Sequence, residues 1–295
     1  MSARRAGNQR RACIDVGSNT TALLVADLAD GELIPVGTRR VFTMLGAEVG
    51  PMGISEEKIE ETTTAVAELI GYAQSLDCEK IQLVATHVVR EAHNGHELAV
   101  KVGEVTGLEL EIIDGHQEAR DSFIGATGGL HRVRGTTVVI DAGGGSTEIS
   151  HCGPGGEPVT ASFAIGSATL QAEFFTSDPP TPEEITRARA YADTQFDQLE
   201  FPDDCELALV VGGGASTARQ LTGGILDAPS IARVIALTTT LPRAELAEKF
   251  GLAINRARLL PAGLTILESL VDHLGRGLEV GRGGLREGVL IDRYG

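Results

Sequence analysis

Two aspartates stand at the ends of short apolar runs and are followed at once by glycines and hydroxyl residues. Asp15 does so in Ala12-Cys13-Ile14-Asp15-Val16-Gly17-Ser18-Asn19-Thr20-Thr21, and Asp141 in Val138-Val139-Ile140-Asp141-Ala142-Gly143-Gly144-Gly145-Ser146-Thr147-Glu148. Runs of this kind predict buried strands. Glycine has no Cβ, so Gly143 to Gly145 can take positive φ and let backbone N–H groups close on an anion, with Ser146 and Thr147 adding hydroxyl donors. A carboxylate at the mouth of that turn is the oxygen ligand that a hard divalent cation bridging to phosphate would use. The chemistry indicated is phosphate binding with a metal ion. A tight hairpin whose glycines serve only the turn is the plainer alternative.

Repetition favours the phosphate reading. A third stretch, Leu209-Val210-Val211-Gly212-Gly213-Gly214-Ala215-Ser216-Thr217, has the same order of strand, glycine and hydroxyl. The dinucleotide pattern G-x-G-x-x-G would need glycine at Glu148 or Thr217, and no G-x-x-x-x-G-K-[ST] occurs, so neither better-known phosphate loop is present.

The elements that position these residues are expected in two halves. Asp15 and Asp141 lie a domain-sized interval apart, and 295 residues suffice for two domains with separate cores. Two similar halves facing each other would set both carboxylates across one cleft. The expected division is 1–127 and 128–295, with Gly128-Gly129 and His131-Arg132-Val133-Arg134-Gly135 as the crossing and a final helix at about 285–295 packing back on the first half.

Within the first half, strands over Thr20–Leu28 and Glu32–Val41 join through Asp30-Gly31 as an antiparallel meander. A helix starts at Ser55-Glu56-Glu57-Lys58 and runs to about Leu76. A strand over Ile81–Ala85 leads to a helix near Arg90, and a strand over Leu108–Ile113 leads to a helix from Asp114 to about Ala126 with Glu118 in its first turn. Arg90 could neutralise phosphate oxygens bidentately. His93 and His96 flank an Asn94-Gly95 loop, and no Cys or Glu completes a zinc pattern around them.

In the second half the chain turns at Gly153-Pro154-Gly155-Gly156 and returns over Val159–Ile165. Helices are expected through Phe175, from Pro182 to about Leu199, after the third glycine turn, and over Arg243–Phe250 and Arg256–Leu274.

Composition is that of an ordinary globular protein, 42% hydrophobic and 22% charged. No apolar run reaches membrane-spanning length, and the Arg4, Arg5, Arg10, Arg11 start has no apolar leader after it, so no membrane association and a cytoplasmic location are expected. Cys13, Cys78, Cys152 and Cys205 form no C-x-x-C, which favours reduced structural thiols. A net charge of −16 argues against nucleic-acid binding. It also requires cations and a few arginines to attract a polyanion locally.

The motifs together resemble the exopolyphosphatase and guanosine pentaphosphate phosphohydrolase family (Ppx/GppA). The similar pieces are Ile14 to Asn19, Ala85-Thr86 through Arg90-Glu91-Ala92, Gly115 through Glu118-Ala119-Arg120, Ile140 to Glu148, and Gly284-Leu285-Arg286-Glu287-Gly288-Val289, in order along nearly the whole chain. The resemblance implies a two-domain α/β fold of the actin and sugar-kinase type (ribonuclease H-like) with an interdomain cleft. It implies hydrolysis of the terminal phosphoanhydride of inorganic polyphosphate, or of the five-prime phosphate of guanosine pentaphosphate. Glu118 would then be the base that activates water and Arg90 its catalytic partner. Asp15 and Asp141 would hold Mg²⁺, with Mn²⁺ or a monovalent cation such as K⁺ as further options. Gly17, Ser18, Asn19, Gly143, Gly144, Gly145, Ser146, Glu148, Gly213 and Gly214 would position phosphates, and a homodimer is compatible with the family.

Two departures from that family stand out. Many relatives carry a second glutamate before the base, where this chain has Gln117, a change expected to alter metal use or the base pKa. Larger relatives continue into helical domains beyond the position of Gly295, from which a preference for short polyphosphates is expected. The rival readings are an ATP-dependent kinase on the same fold, with nucleotide at Gly212 to Thr217, and a non-catalytic alarmone sensor.

Overall fold

The structure is a computed structural model describing residues 9–29, 32–47, 49, 53–78, 80–224 and 226–295. Arg4, Arg5 and the expected Asp30-Gly31 turn lie outside these residues. The chain forms two compact units, one comprising the described residues up to Arg132 together with Gly283–Gly295, the other Val133–Arg282. Each contains one five-stranded sheet. This is the two-domain, actin-like α/β fold.

In the first unit, strands β1 (Gln9–Val16), β2 (Thr21–Ala29) and β3 (Glu32–Val41) form the antiparallel meander. Helix α1 (Glu56–Ser75), strand β4 (Lys80–Ala85), the short helix α2 (His87–Glu91), helix α3 (Gly95–Thr106), strand β5 (Leu110–Ile112) and helix α4 (Gly115–Thr127) follow. The sheet order is β3-β2-β1-β4-β5, with β4 and β5 parallel to β1. Alternation sorts the central strand between two cores. Ala12, Ile14 and Val16 pack on the face covered by α1 and α3, and Cys13 packs on the other with Leu24, Ala26 and Val84. Ser55 caps α1 as its spacing predicted, its hydroxyl accepting from the Lys58 amide at 3.2 Å.

The second unit repeats the plan. Hairpin β6 (Thr137–Ala142) and β7 (Thr147–Cys152) continues into β8 (Val159–Phe163), helices α5 (Ser167–Phe174) and α6 (Pro182–Phe196), strand β9 (Leu207–Val211), helices α7 (Gly213–Thr222), α8 (Ala228–Thr238), α9 (Arg243–Phe250) and α10 (Ile254–Leu274), and the two-residue strand β10 (Glu279–Val280). The order is β10-β9-β6-β7-β8. Helix α10 is buried along most of its length and is the hub against which α5 to α9 pack. No helix among the described residues is long and apolar enough to cross a membrane.

Two helices depart from the expected plan. Asn94-Gly95 is not a free loop: the Asn94 side chain bonds both backbone groups of Ile54 at 2.9 Å, and α3 begins at Gly95. Helix α3 escapes a periodicity search because Val100 and Val105 face solvent while Leu98 and Val102 face the core. Helix α8, capped by Asp227, was likewise not anticipated.

The last helix, α11 (Leu285–Tyr294), belongs to the first unit and completes the Cys13 face with Leu285, Val289 and Leu290. It lies against α4 at backbone distance. A Cβ on Gly125 would collide with the Gly284 carbonyl, and one on Gly288 with the Asp121 carbonyl. In this seam the Asp121 carboxyl is fully buried; Oδ1 accepts from Gln117 Nε2 at 2.9 Å, and Oδ2 has no donor among the described residues. Burial, opposed by the Gln117 hydrogen bond and assisted by Asp292, raises its pKa to about 6.

Gly288→Ala is expected to lower stability by about 3 kcal/mol through overpacking of the seam, read by chemical denaturation. Because the folded Asp121 holds its proton more tightly than the unfolded one, its stabilising contribution is complete below the ordinary aspartate pKa and is lost as pH rises through about 6. Asp121→Asn should therefore stabilise the protein by roughly 2 kcal/mol at pH 8 and by almost nothing at pH 4. An equal effect at both values would contradict the assignment.

Candidate active site

Glu118 and Arg90 meet within the first unit. Strand β4 ends at Ala85, Thr86 begins the single turn of α2, and Arg90 closes it. Strand β5 ends at Ile112, and Asp114 caps α4 by accepting from the Gln117 amide at 2.8 Å, which puts Glu118 in the first turn. Arg90 Nη1 donates to the Ile113 carbonyl at 2.8 Å and to Glu118 Oε2 at 3.1 Å. The Glu118 side chain is only 9% exposed. A buried carboxylate needs a partner to remain charged, and here it has a guanidinium and a helix N-terminus. His87, on the same turn as Arg90, has its pKa lowered by burial and then by the Arg90 charge, so it stays neutral.

Asp15 also lies in this unit, at the end of β1. The turn after it closes through Gly17 N–H to the Thr20 carbonyl at 3.2 Å, and the Ser18 carbonyl accepts from Gly46 at 2.7 Å. A Cβ on Gly17 would lie 3.7 Å from Asp15 Oδ1 and 3.9 Å from Thr86 Oγ1. The glycine thus keeps open the space beside a carboxylate and a hydroxyl. Thr86 was quoted in the sequence only as part of a motif; its place beside Asp15 follows from the parallel pairing of β1 with β4. Asn19 Nδ2 reaches Thr20 Oγ1 at 3.4 Å.

The corresponding turn of the second unit joins β6 to β7. Its register pairs Asp141 with Glu148, so two carboxylates stand directly opposite on one face. Glu148 is buried and accepts from Ser162 Oγ at 2.8 Å. Gly143 N–H closes the turn on the Ser146 carbonyl at 3.0 Å. The carbonyls of Gly143 and Gly144 accept from Ser167 and Ala168 at the start of α5, at 3.0 and 2.7 Å. Oxygens that would repel an anion are therefore already engaged.

The positive φ open to Gly143 to Gly145 is not used: none of them, nor Gly17, is left-handed. They are required for close approach instead. A Cβ on Gly143 would sit 2.9 Å from the Ser146 oxygen, and one on Gly166 would run into the Gly144 peptide.

The third glycine turn differs in kind from the other two. It leads from strand to helix, with Gly212 at φ 95 as the residue before α7. The hydroxyls of Ser216 and Thr217 turn back to the Gly212 and Gly213 carbonyls at 3.4 and 3.2 Å, so neither repeats the role of Ser146. What the turn does share is its location, because β9 runs parallel to β6 and a Cβ on Gly212 would lie 3.0 Å from Asp141 Oδ1. Gly213 and Gly214 open α7, where backbone N–H groups favour an anion. The Arg256 guanidinium lies over Gly213, filling the space its Cβ would take. Sequence reasoning missed Arg256, which sits on α10 far from any motif.

Gln117 does not turn toward Glu118; its amide is spent on Asp121. Among the described residues no group of three or more His, Cys, Asp or Glu side chains could cage a metal. Asp15 in the first unit and Asp141 in the second are each an oxygen donor with glycine-cleared space beside it, the kind of ligand a hard cation takes when it keeps most of its shell for water.

Comparison with known proteins places the chain in a family. The sequence profile of the Ppx/GppA phosphatase family matches residues 24–295. Exopolyphosphatase 2 of Mycobacterium tuberculosis is 31% identical over 288 residues, covering 94% of this chain and 88% of its own. Exopolyphosphatase 1 of Mycobacterium leprae is 27% identical over 301 residues, covering 96% and 88%. The crystal structure of the Aquifex aeolicus Ppx/GppA family member superposes with a TM-score of 0.81 at 28% identity, over 97% of each chain.

Proposed function

The chain belongs to the Ppx/GppA phosphatase family and is a hydrolase, and on that premise we propose that it is an exopolyphosphatase, releasing orthophosphate from the end of inorganic polyphosphate. The observation that carries this reading is the buried Glu118 held by Arg90 at 3.1 Å. Phosphoryl transfer to water needs an oriented nucleophile and neutralised charge more than covalent chemistry. Glu118 takes a proton from water as its oxygen attacks the terminal phosphorus. The bridging P–O bond breaks, and the shortened chain leaves with the bond's electron pair.

Arg90 has a second task beyond holding Glu118. Its remaining N–H groups are suited to the equatorial oxygens of the terminal phosphate, where negative charge accumulates. The amides around Gly17, Ser18 and Asn19 in one unit, and Gly143, Gly144, Gly145 and Ser146 in the other, are proposed to grip phosphate oxygens, as are Gly213 and Gly214 at the start of α7. Glu148 can only accept hydrogen bonds, so its contribution is to the carboxylate side of the site, opposite Asp141. Asp15 and Asp141 are the proposed Mg²⁺ ligands, and the ion when bound supplies charge neutralisation to the phosphate oxygens. Polyphosphate is preferred over guanosine pentaphosphate because the curated relatives quoted above are both named exopolyphosphatases.

Phosphate release with Mg²⁺ on polyphosphate, guanosine pentaphosphate and ATP tests the proposal. Turnover of polyphosphate without a second substrate is expected, and ADP formation that needs an acceptor would replace it with a kinase. Glu118→Gln should lower kcat by about a hundredfold or more with the fold retained. Arg90→Met should lower both kcat and thermal stability, because Glu118 is then buried without its partner. The double variant should regain stability but not activity, a non-additivity that a purely structural pair would not show in kcat.

A further inference from the structure

The sheet register of the first unit places a charged row on the face that α11 covers. Arg40 on β3 pairs with Ala22 on β2, Ala22 with Asp15 on β1, Asp15 with Val84 on β4, and Val84 with Glu111 on β5. Paired residues point to the same face. Val84 belongs to the core that contains Leu285, Val289 and Leu290, so this is the α11 face. Arg39 confirms the alternation, because it turns to the opposite face and stacks on Tyr72 of α1 at 3.7 Å.

Helix α11 brings an arginine to each end of that row. At the β5 end Arg293 Nη1 meets Glu111 Oε2 at 2.6 Å, a satisfied ion pair. At the β3 end the arrangement is reversed. Arg286 stands two helical turns before Arg293 on the same stripe of α11, which carries it from the β5 end toward β3, and its charge, after the loss of surrounding water, lowers the Arg40 pKa. Neither guanidinium has a hydrogen bond or ion pair among the described residues. Two like charges so placed cost stability, in a chain whose net charge of −16 offers many carboxylates that could have paired with them. Asp15 lies two strands away along the same row, about 10 Å by strand spacing.

We propose that Arg40 and Arg286 form a second anion subsite on the first unit, which takes non-reacting phosphates of a condensed phosphate chain whose terminal group lies at Asp15. The assignment rests on the exopolyphosphatase reading for its substrate class. Two planar forks can each bind phosphate oxygens in pairs, and a polyanion removes the repulsion between them. The subsite acts on binding of the chain and takes no part in bond cleavage.

Calorimetric titration with tripolyphosphate and with orthophosphate, together with steady-state phosphate release, is carried out on the wild type, Arg40→Gln, Arg286→Gln and the double variant. The double variant should bind tripolyphosphate about tenfold or more weakly and show a matching rise in KM, with kcat changed less than about twofold. Orthophosphate binding should be unaffected, and thermal stability should be equal or higher because the like-charge contact is gone. Should a glutamine variant not fold, the pair Arg40→Lys and Arg286→Lys, which keeps charge but loses the fork, should still weaken tripolyphosphate binding. A folded double variant with unchanged affinity and KM overturns the proposal, as does a wild type that does not bind tripolyphosphate. A wild type that binds it through these arginines but releases no phosphate overturns the hydrolytic reading and leaves the subsite standing.

Discussion

A carboxylate can be buried in its ionised form only if something nearby repays the water it loses, and in the first unit that repayment is Arg90. The contact depends on two strand-to-helix junctions meeting at one end of the sheet. Strand β4 delivers Arg90 through the single turn of α2, and β5 delivers Glu118 through the Asp114 cap of α4. The Ile113 carbonyl, accepting from the same guanidinium nitrogen, fixes the arginine before any ligand arrives. The residues that do not touch the pair, such as the glycines of the α4 and α11 seam, matter because they set the position of α4.

The two hairpin turns answer a related electrostatic problem from the backbone side. The phosphate grip proposed for an acidic chain requires the turns to present N–H groups and hide carbonyls. In the second unit α5 does the hiding, taking the Gly143 and Gly144 oxygens at its first turn. Glycine is needed there because other backbone passes too close for a side chain, and the backbone angles themselves are ones any residue could adopt. The single left-handed glycine of the set, Gly212, belongs to the turn that enters a helix.

Much of this was legible in the chain itself. Runs such as Val138-Val139-Ile140 and the caps at Ser55 and Asp114 announce strands and helices through local chemistry, and the motif order pointed to the fold and family. What the chain hid was set by non-local pairing. Nothing near Arg256 shows that it will lie over Gly213, and nothing in Arg39-Arg40 tells which of the two faces Tyr72 until the β2 and β3 register is known. The third glycine turn shares the order of strand, glycine and hydroxyl with the other two, and the helix expected after it, α7, is what sets it apart. Whether the next strand is antiparallel or must cross over is decided by the sheet.

The position of α11 imposes an order on biosynthesis. Cys13, Leu24, Ala26 and Val84 precede the second unit in the chain, yet the side chains that cover them, Leu285, Val289 and Leu290, are translated after the whole of it. During that interval one side of the leading sheet is bare, and it is a surface suited to chaperone capture or to premature association with another nascent chain. The first unit therefore cannot close this face until the second unit has been made.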